Sequence, residues 1–251
     1  MAASGLPVPA ARVKLNFVNF NKPDSLFNKG MQPVMYSMKN AASKNTGWVR
    51  AGTDISYSPN TYPRKSRSGE GEGCYFTLTF TIEFRNVNDT YLLAYTYPYT
   101  HTDYTSHVSR ILHTPRIDQI LRRSRLCKTL GGYDCDLLVI TDFTADTGRI
   151  GPLTTITASS LPPRRSTTLK SNPTTPKPCL LFSARVHPGE AQSSYMMQGL
   201  VDFLTSDTPA AIFIREVFVV FVVPMLNVEG VVFGNTRCGL AGGFLLRHRL
   251  W

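Results

Sequence analysis

The sequence predicts two kinds of architecture in order: an antiparallel β-sandwich-like domain, followed by an α/β segment. Three observations predict this. The first half alternates apolar and polar residues with period two, as in Cys74 to Phe84 (Cys-Tyr-Phe-Thr-Leu-Thr-Phe-Thr-Ile-Glu-Phe). A stretch rich in Pro, Ser and Thr then interrupts the pattern. Beyond it, short apolar strands flank a segment with helical spacing.

Val13 to Phe20 alternates with one apolar face and predicts the first strand. Ile55 with Tyr57, Cys74 to Phe84, Tyr91 to Tyr97 and Leu137 to Thr141 predict four more, each rich in aromatic and β-branched residues. Turn formers separate them: Ser58-Pro59-Asn60, Gly69 to Gly73 as a hairpin loop, Asn86 to Asp89, and Gly131-Gly132. Only Thr105 to Leu112, extending as a broken segment toward Leu121, reads as helical. Residues 1–145 are therefore expected to form the β-domain and residues 146–178, with six prolines from Pro152 to Pro178, a flexible linker.

After the linker, Cys179 to Val186 predicts a strand, His187 to Glu190 a loop, Ala191 to Leu204 a helix, and Val217 to Pro224 a second strand. Strand, crossover helix and strand in sequence predict a parallel pair. Two strands and one helix cannot bury both faces of such a sheet, so residues 179–251 read as the first part of an α/β domain. Its exposed apolar edge predicts instability, and a fragment ending near residue 145 is expected to survive proteolysis.

Bulk properties narrow the function classes. The 251 residues are 42% hydrophobic, enough for a substantial core, and 27 Lys and Arg against 17 Asp and Glu give a net charge of +10. That charge favours polyanionic partners. Its clusters, Arg64-Lys65-Arg67, Arg122-Arg123-Arg125 and Arg164-Arg165 with Lys170, sit in stretches that read as loops or segment ends, without a nucleic-acid recognition motif. Five widely spaced cysteines without a C-x-x-C pair favour reduced thiols and an intracellular address. The first residues show no secretory signal, and the longest apolar run, Val217 to Met225, is far shorter than the roughly 20 residues of a membrane span.

The residues that could do chemistry gather after the linker. His187 and Glu190, separated by the turn formers Pro188 and Gly189, stand at the C-terminal end of a predicted strand. An imidazole and a carboxylate aimed at one point are suitable zinc ligands, and a catalytic zinc takes three protein ligands plus a water. H-x-x-E alone is equally a surface turn with a helix-capping Glu. His101, His107, His113 and His248 show no second ligand spacing, Ser193-Ser194 is outside any G-x-S-x-G, and Gly69 to Gly73 carries no lysine for a phosphate.

Ser183 to Glu190 (Ser-Ala-Arg-Val-His-Pro-Gly-Glu), Ser193-Ser194 and Val223 to Gly230 (Val-Pro-Met-Leu-Asn-Val-Glu-Gly) resemble the cytosolic carboxypeptidases of the zinc carboxypeptidase superfamily. Upstream, Gly30 to Ser37, Tyr75 to Phe80, Tyr97 to Thr100 and Leu126 to Leu130 resemble that family's N-terminal β-domain. The resemblance runs from about Val13 to Gly242. It implies an α/β zinc-carboxypeptidase fold, zinc as cofactor, His187 and Glu190 as the first two zinc ligands, and Arg237 as the arginine beside the scissile carbonyl. It also implies removal of glutamates from polyglutamylated tubulin or other acidic-tailed proteins, a cytoplasmic address and association with microtubules.

Asn227 to Gly230 resemble a loop beside that site, with Asn227 expected to shape a turn. The residues after Gly242 do not match the family's carboxylate-binding segment, and its third histidine ligand and general-base glutamate have no counterpart. The expectation is an incomplete chain carrying no catalytic base, and the alternative a non-catalytic protein-binding module. Nucleic acid and membrane are not expected as partners.

Overall fold

A computed structural model describes residues 10–65, 72–144 and 176–240. The chain divides into two compact units, Met1–Pro98 and Tyr99–Trp251.

The first unit holds two antiparallel three-stranded sheets. One is ordered β1 (Ala11–Phe20), β5 (Glu72–Phe84), β4 (Thr53–Lys65); the other β3 (Val49–Arg50), β2 (Val34–Ser37), β6 (Tyr91–Ala94). The alternation of Cys74 to Phe84 does what it predicts: Leu78, Phe80 and Ile82, two apart on β5, are all buried. They form a cluster with Phe27 and Tyr57, against which Leu15, Met35 and Leu93 are packed. Tyr57 and Phe76 stack with centroids 5.5 Å apart. A short helix, α1 (Met38–Lys44), begins where the Ser37 side chain caps Asn40 N–H at 3.0 Å. Of the hairpin loop expected at Gly69 to Gly73, Glu72 and Gly73 already belong to β5, opposite Lys65 and Arg64, and residues 66–71 lie outside the described residues.

The second unit is built on a four-stranded sheet, β7 (Leu121–Lys128), β8 (Asp134–Ile140), β10 (Val219–Val223), β9 (Cys179–Ser183). The parallel pair expected from sequence is present: Cys179 to Ser183 register with Val219 to Val223. The boundary expected at residue 145 is not observed, because β8 pairs antiparallel with β10, Val220 facing Ile140. Leu138, Val139, Ile140, Val220 and Val222 are at most 1% exposed and belong to one core. Residues 99–144 thus belong with the α/β segment rather than with the first sheets. A fragment ending near 145 would keep β7 but strip β8 of its β10 neighbour, so it is not a separable domain.

The linker expectation shortens as well. Residues 145–175 lie outside the described residues, but Lys177 is buried, its Nζ donating to Thr141 Oγ1 at 3.1 Å and Arg215 O at 3.0 Å. These bonds tie the entrance of β9 to the end of β8.

The helix expected at Ala191 to Leu204 is α3 (Ala191–Leu204), with Met197, Val201 and Leu204 buried at helical spacing. The helix expected from Thr105 starts earlier, as α2 (His101–Leu112), because Thr100 and Asp103 form a capping box. The broken extension toward Leu121 is a 3-10 turn, Ile117–Gln119. Between α3 and β10 stands α4 (Pro209–Val217), started by the Thr208 cap and Pro209. The arginines Arg122, Arg123 and Arg125, expected in a loop or at a segment end, lie within β7. Arg123 pairs with Asp136 at 2.9 Å, Arg125 lies 3.6 Å from Asp134 and Arg122 covers the Phe143 ring at 3.9 Å, so all three are engaged by their own unit.

Candidate metal centre

The loop after β9 begins with Ala184, whose N–H donates to Val223 O at 3.0 Å and continues the parallel pairing one step. Arg185 then adopts a left-handed backbone, φ 55°, which turns the chain out of the strand direction. The turn is held by the arginine's own side chain, 5% exposed. Its Nε donates to Pro188 O at 2.9 Å, Nη1 to Ser194 Oγ at 2.8 Å and Nη2 to Tyr99 O at 3.0 Å. Burial pulls the Arg185 pKa below the ordinary arginine value, yet the fork spans three acceptors that no shorter side chain reaches together. Ser193 Oγ accepts from Arg185 N and donates to Glu190 O, so both serines that read as poor nucleophiles are used to fold the loop.

A second segment supports the loop from the other side. Leu226 N donates to Ala184 O at 2.9 Å and Asn227 N to Arg185 O at 3.1 Å. The Asn227 side chain donates to Val186 O at 3.3 Å and accepts from Gly230 N at 3.0 Å, capping α5 (Val228–Val232). Asn227 therefore shapes the turn, as the sequence suggests. Gly230 makes room for Pro188: a Cβ on Gly230 would stand 2.2 Å from the proline Cγ. Glu229 is buried and accepts from Gly131 N–H in the β7–β8 turn. That bond, with further help from Thr129 and Leu240, holds its carboxyl below the ordinary Glu range against the opposing effect of burial.

Past α5, Gly234 takes a left-handed φ of 73° and the chain folds back. Gly189 N donates to Thr236 O at 2.8 Å, and a Cβ on Gly189 would stand 2.9 Å from that oxygen. This close approach brings Arg237 to the loop. Its Nη2 donates to His187 Nε2 at 3.1 Å and its Nη1 lies 3.6 Å from Glu190 Oε1. The three residues singled out from sequence thus meet at one point at the end of β9.

A guanidinium has no acceptor, so Nε2 meets it as a lone pair on a neutral ring. A neutral imidazole and a carboxylate facing one cation are the donor types that zinc takes. His187 and Glu190 therefore fit a zinc ion as two of its ligands. Among the described residues no group of three or more His, Cys, Asp and Glu side chains comes together, so no third ligand is placed. His107 is occupied elsewhere, its Nε2 2.8 Å from Asp202 Oδ1, and His113 Nδ1 lies 2.6 Å from Ser109 O. His248 lies outside the described residues.

Sequence reading missed Arg185, Gly230 and Glu229 as supports. The charged residue in an otherwise apolar run, Ser183-Ala184-Arg185-Val186, was the available signal for the first.

The zinc carboxypeptidase family model matches residues 113–251. Cytosolic carboxypeptidase 1 of Danio rerio is 39% identical over 244 residues, 96% of this chain and 19% of that protein. Human cytosolic carboxypeptidase 4 is 37% identical over 238 residues, 94% of this chain and 20% of its own length. The chain thus spans about a fifth of the length of these curated relatives.

Among solved structures, a metallo-carboxypeptidase from Burkholderia cenocepacia aligns over 93% of this chain and 48% of its own, with a TM-score of 0.57 at 19% identity. One from Pseudomonas aeruginosa aligns over 94% and 51%, with 0.51 at 18%. At those identities the two structures share the fold. The matched segment contains the whole strand, loop and helix arrangement that carries His187, Glu190 and Arg237, and the chain belongs to the zinc carboxypeptidase family.

Proposed function

We propose that the chain serves a zinc metallocarboxypeptidase of the cytosolic type, removing glutamates from polyglutamylated proteins such as tubulin in the cytoplasm and at microtubules. The observation that carries this reading is the meeting of His187, Glu190 and Arg237 at one point. On the same reading the N-terminal unit is the sandwich-like β-domain that accompanies this type of enzyme.

His187 and Glu190 would hold the zinc, which when bound polarises a carbonyl and activates water. Arg185 and Asn227 keep the loop folded so that both side chains face the same point. Arg237 presents donors beside them, where a guanidinium would stabilise negative charge developing on a scissile carbonyl oxygen. Among the described residues no group of three or more His, Cys, Asp and Glu gathers to hold a metal. The net charge of +10 suits an acidic polypeptide. Among the described residues no helix is long and apolar enough to cross a membrane.

A second reading is a protein-binding module without catalysis. One experiment separates the two: the purified chain is loaded with zinc and incubated with a peptide ending in several glutamates. Release of free glutamate would show that this chain itself is catalytic and overturn the expectation of an incomplete site; it should then be abolished in His187→Ala and lowered about 100-fold or more in Arg237→Ala. Binding of the peptide without glutamate release would favour the module.

A further inference from the structure

We propose that Cys127 and Cys135 are a paired oxidation site, closing to a reversible disulfide across β7 and β8. The two residues stand directly opposite one another in the antiparallel register, just past an irregularity between Arg125 and Cys127. Opposed residues of an antiparallel pair have Cα atoms about 4.5–5.5 Å apart and side chains on one face. Disulfides span Cα separations of about 4.4–6.8 Å, a range that includes the spacing of opposed strand residues. Both cysteines are free thiols, and Cys127 is one of the groups that raise the Cys135 pKa.

The two sulfurs differ in a way that assigns their roles. Cys127 is exposed on the edge strand and Cys135 is 1% exposed beneath it. Burial first, and Cys127 second, push the Cys135 thiol up to about 12, so it stays protonated while Cys127 meets the oxidant.

With hydrogen peroxide as oxidant, the Cys127 sulfur attacks one peroxide oxygen. The O–O bond breaks, one water leaves, and Cys127 becomes a sulfenic acid. The Cys135 sulfur then loses its proton and attacks the Cys127 sulfur; the S–S bond forms, the S–O bond breaks, and the departing hydroxide takes the proton as a second water. Two thiols are oxidised by two electrons and one peroxide is reduced to two waters. A dithiol reductant reverses the sum by exchange. Cys135 Sγ also lies 3.7 Å from Met225 O, two residues before Asn227, so closure shifts a sulfur that touches the segment supporting the His187 loop.

The test is peptide mapping of the intact, folded chain after graded hydrogen peroxide and alkylation of the remaining thiols. The expected product is residues 126–128 linked to residues 129–149 after trypsin, two hydrogens lighter than the separate peptides. It should dominate over every other cysteine pairing and vanish in dithiothreitol and in Cys127→Ser. The same treatment in urea should scatter the pairing among the five cysteines. Oxidation of Cys127 to a sulfinic acid while Cys135 stays alkylatable would overturn the proposal, as would equal yield of the linked peptide in folded and unfolded chain.

Discussion

Replacing Gly230 with Ala tests the support of the metal loop at its tightest point. The added Cβ would stand 2.2 Å from Pro188 Cγ and 2.8 Å from Asn227 Oδ1. Neither neighbour is a flexible side-chain end: the proline is buried next to His187, and the Asn227 oxygen accepts from Gly230 N–H. One of them must move by about an ångström. Overpacking of this kind costs about 1–3 kcal/mol. At about 2–4 °C per kcal/mol for a domain of this size, Tm should fall by about 2–12 °C. Displacing Pro188 also displaces His187, so zinc affinity should fall about 10–100-fold, as when outer-shell support of a metal ligand is removed. Thermal unfolding and a competitive zinc titration on the same preparation read both effects. Wild-type Tm and wild-type zinc affinity together would refute the claim that α5 sets the position of the loop.

Gly199 provides the opposite case. It lies exposed within α3 with nothing within 4 Å of an added Cβ, so Gly199→Ala should stabilise the chain by about 0.5–1 kcal/mol in urea unfolding. Arg185→Lys keeps the charge but loses the fork that reaches Pro188, Ser194 and Tyr99; a loss of about 1–3 kcal/mol is expected, and wild-type stability would show that the network is dispensable. Glu229 is depressed in the folded chain, so its contribution is complete above its ordinary value of about 4.3 and is lost as pH falls through the lower folded value. The stability gap between wild type and Glu229→Gln should therefore be largest near neutrality and shrink below about pH 4.3. A gap independent of pH would contradict that assignment.

How much was legible from sequence depended on whether the signal was local. The period-two run at Cys74 to Phe84 and the helical spacing of Ala191 to Leu204 fixed those elements because burial on one face sets the side-chain pattern. The triad of His187, Glu190 and Arg237 was legible through resemblance, but its meeting point depends on Gly189 approaching Thr236, a long-range contact that spacing does not encode. The domain boundary was misplaced because composition marks the proline-rich stretch, whereas strand pairing joins β8 to β10 across it. The arginine cluster read as a loop or a segment end although it lies within β7, because that strand is an exposed edge where charged side chains replace the apolar alternation. α4 was overlooked although Thr208-Pro209 is a usable start signal.

The most direct test of the account is isothermal titration of zinc into the purified chain and three variants. If His187 and Glu190 are ligands to one ion, His187→Ala and Glu190→Gln should each weaken zinc binding about tenfold or more. Arg237→Ala should bind zinc at least as tightly as wild type, because it removes a competing cation from between the two ligands. Unchanged zinc affinity in either ligand variant would contradict the central claim that this loop is a metal centre.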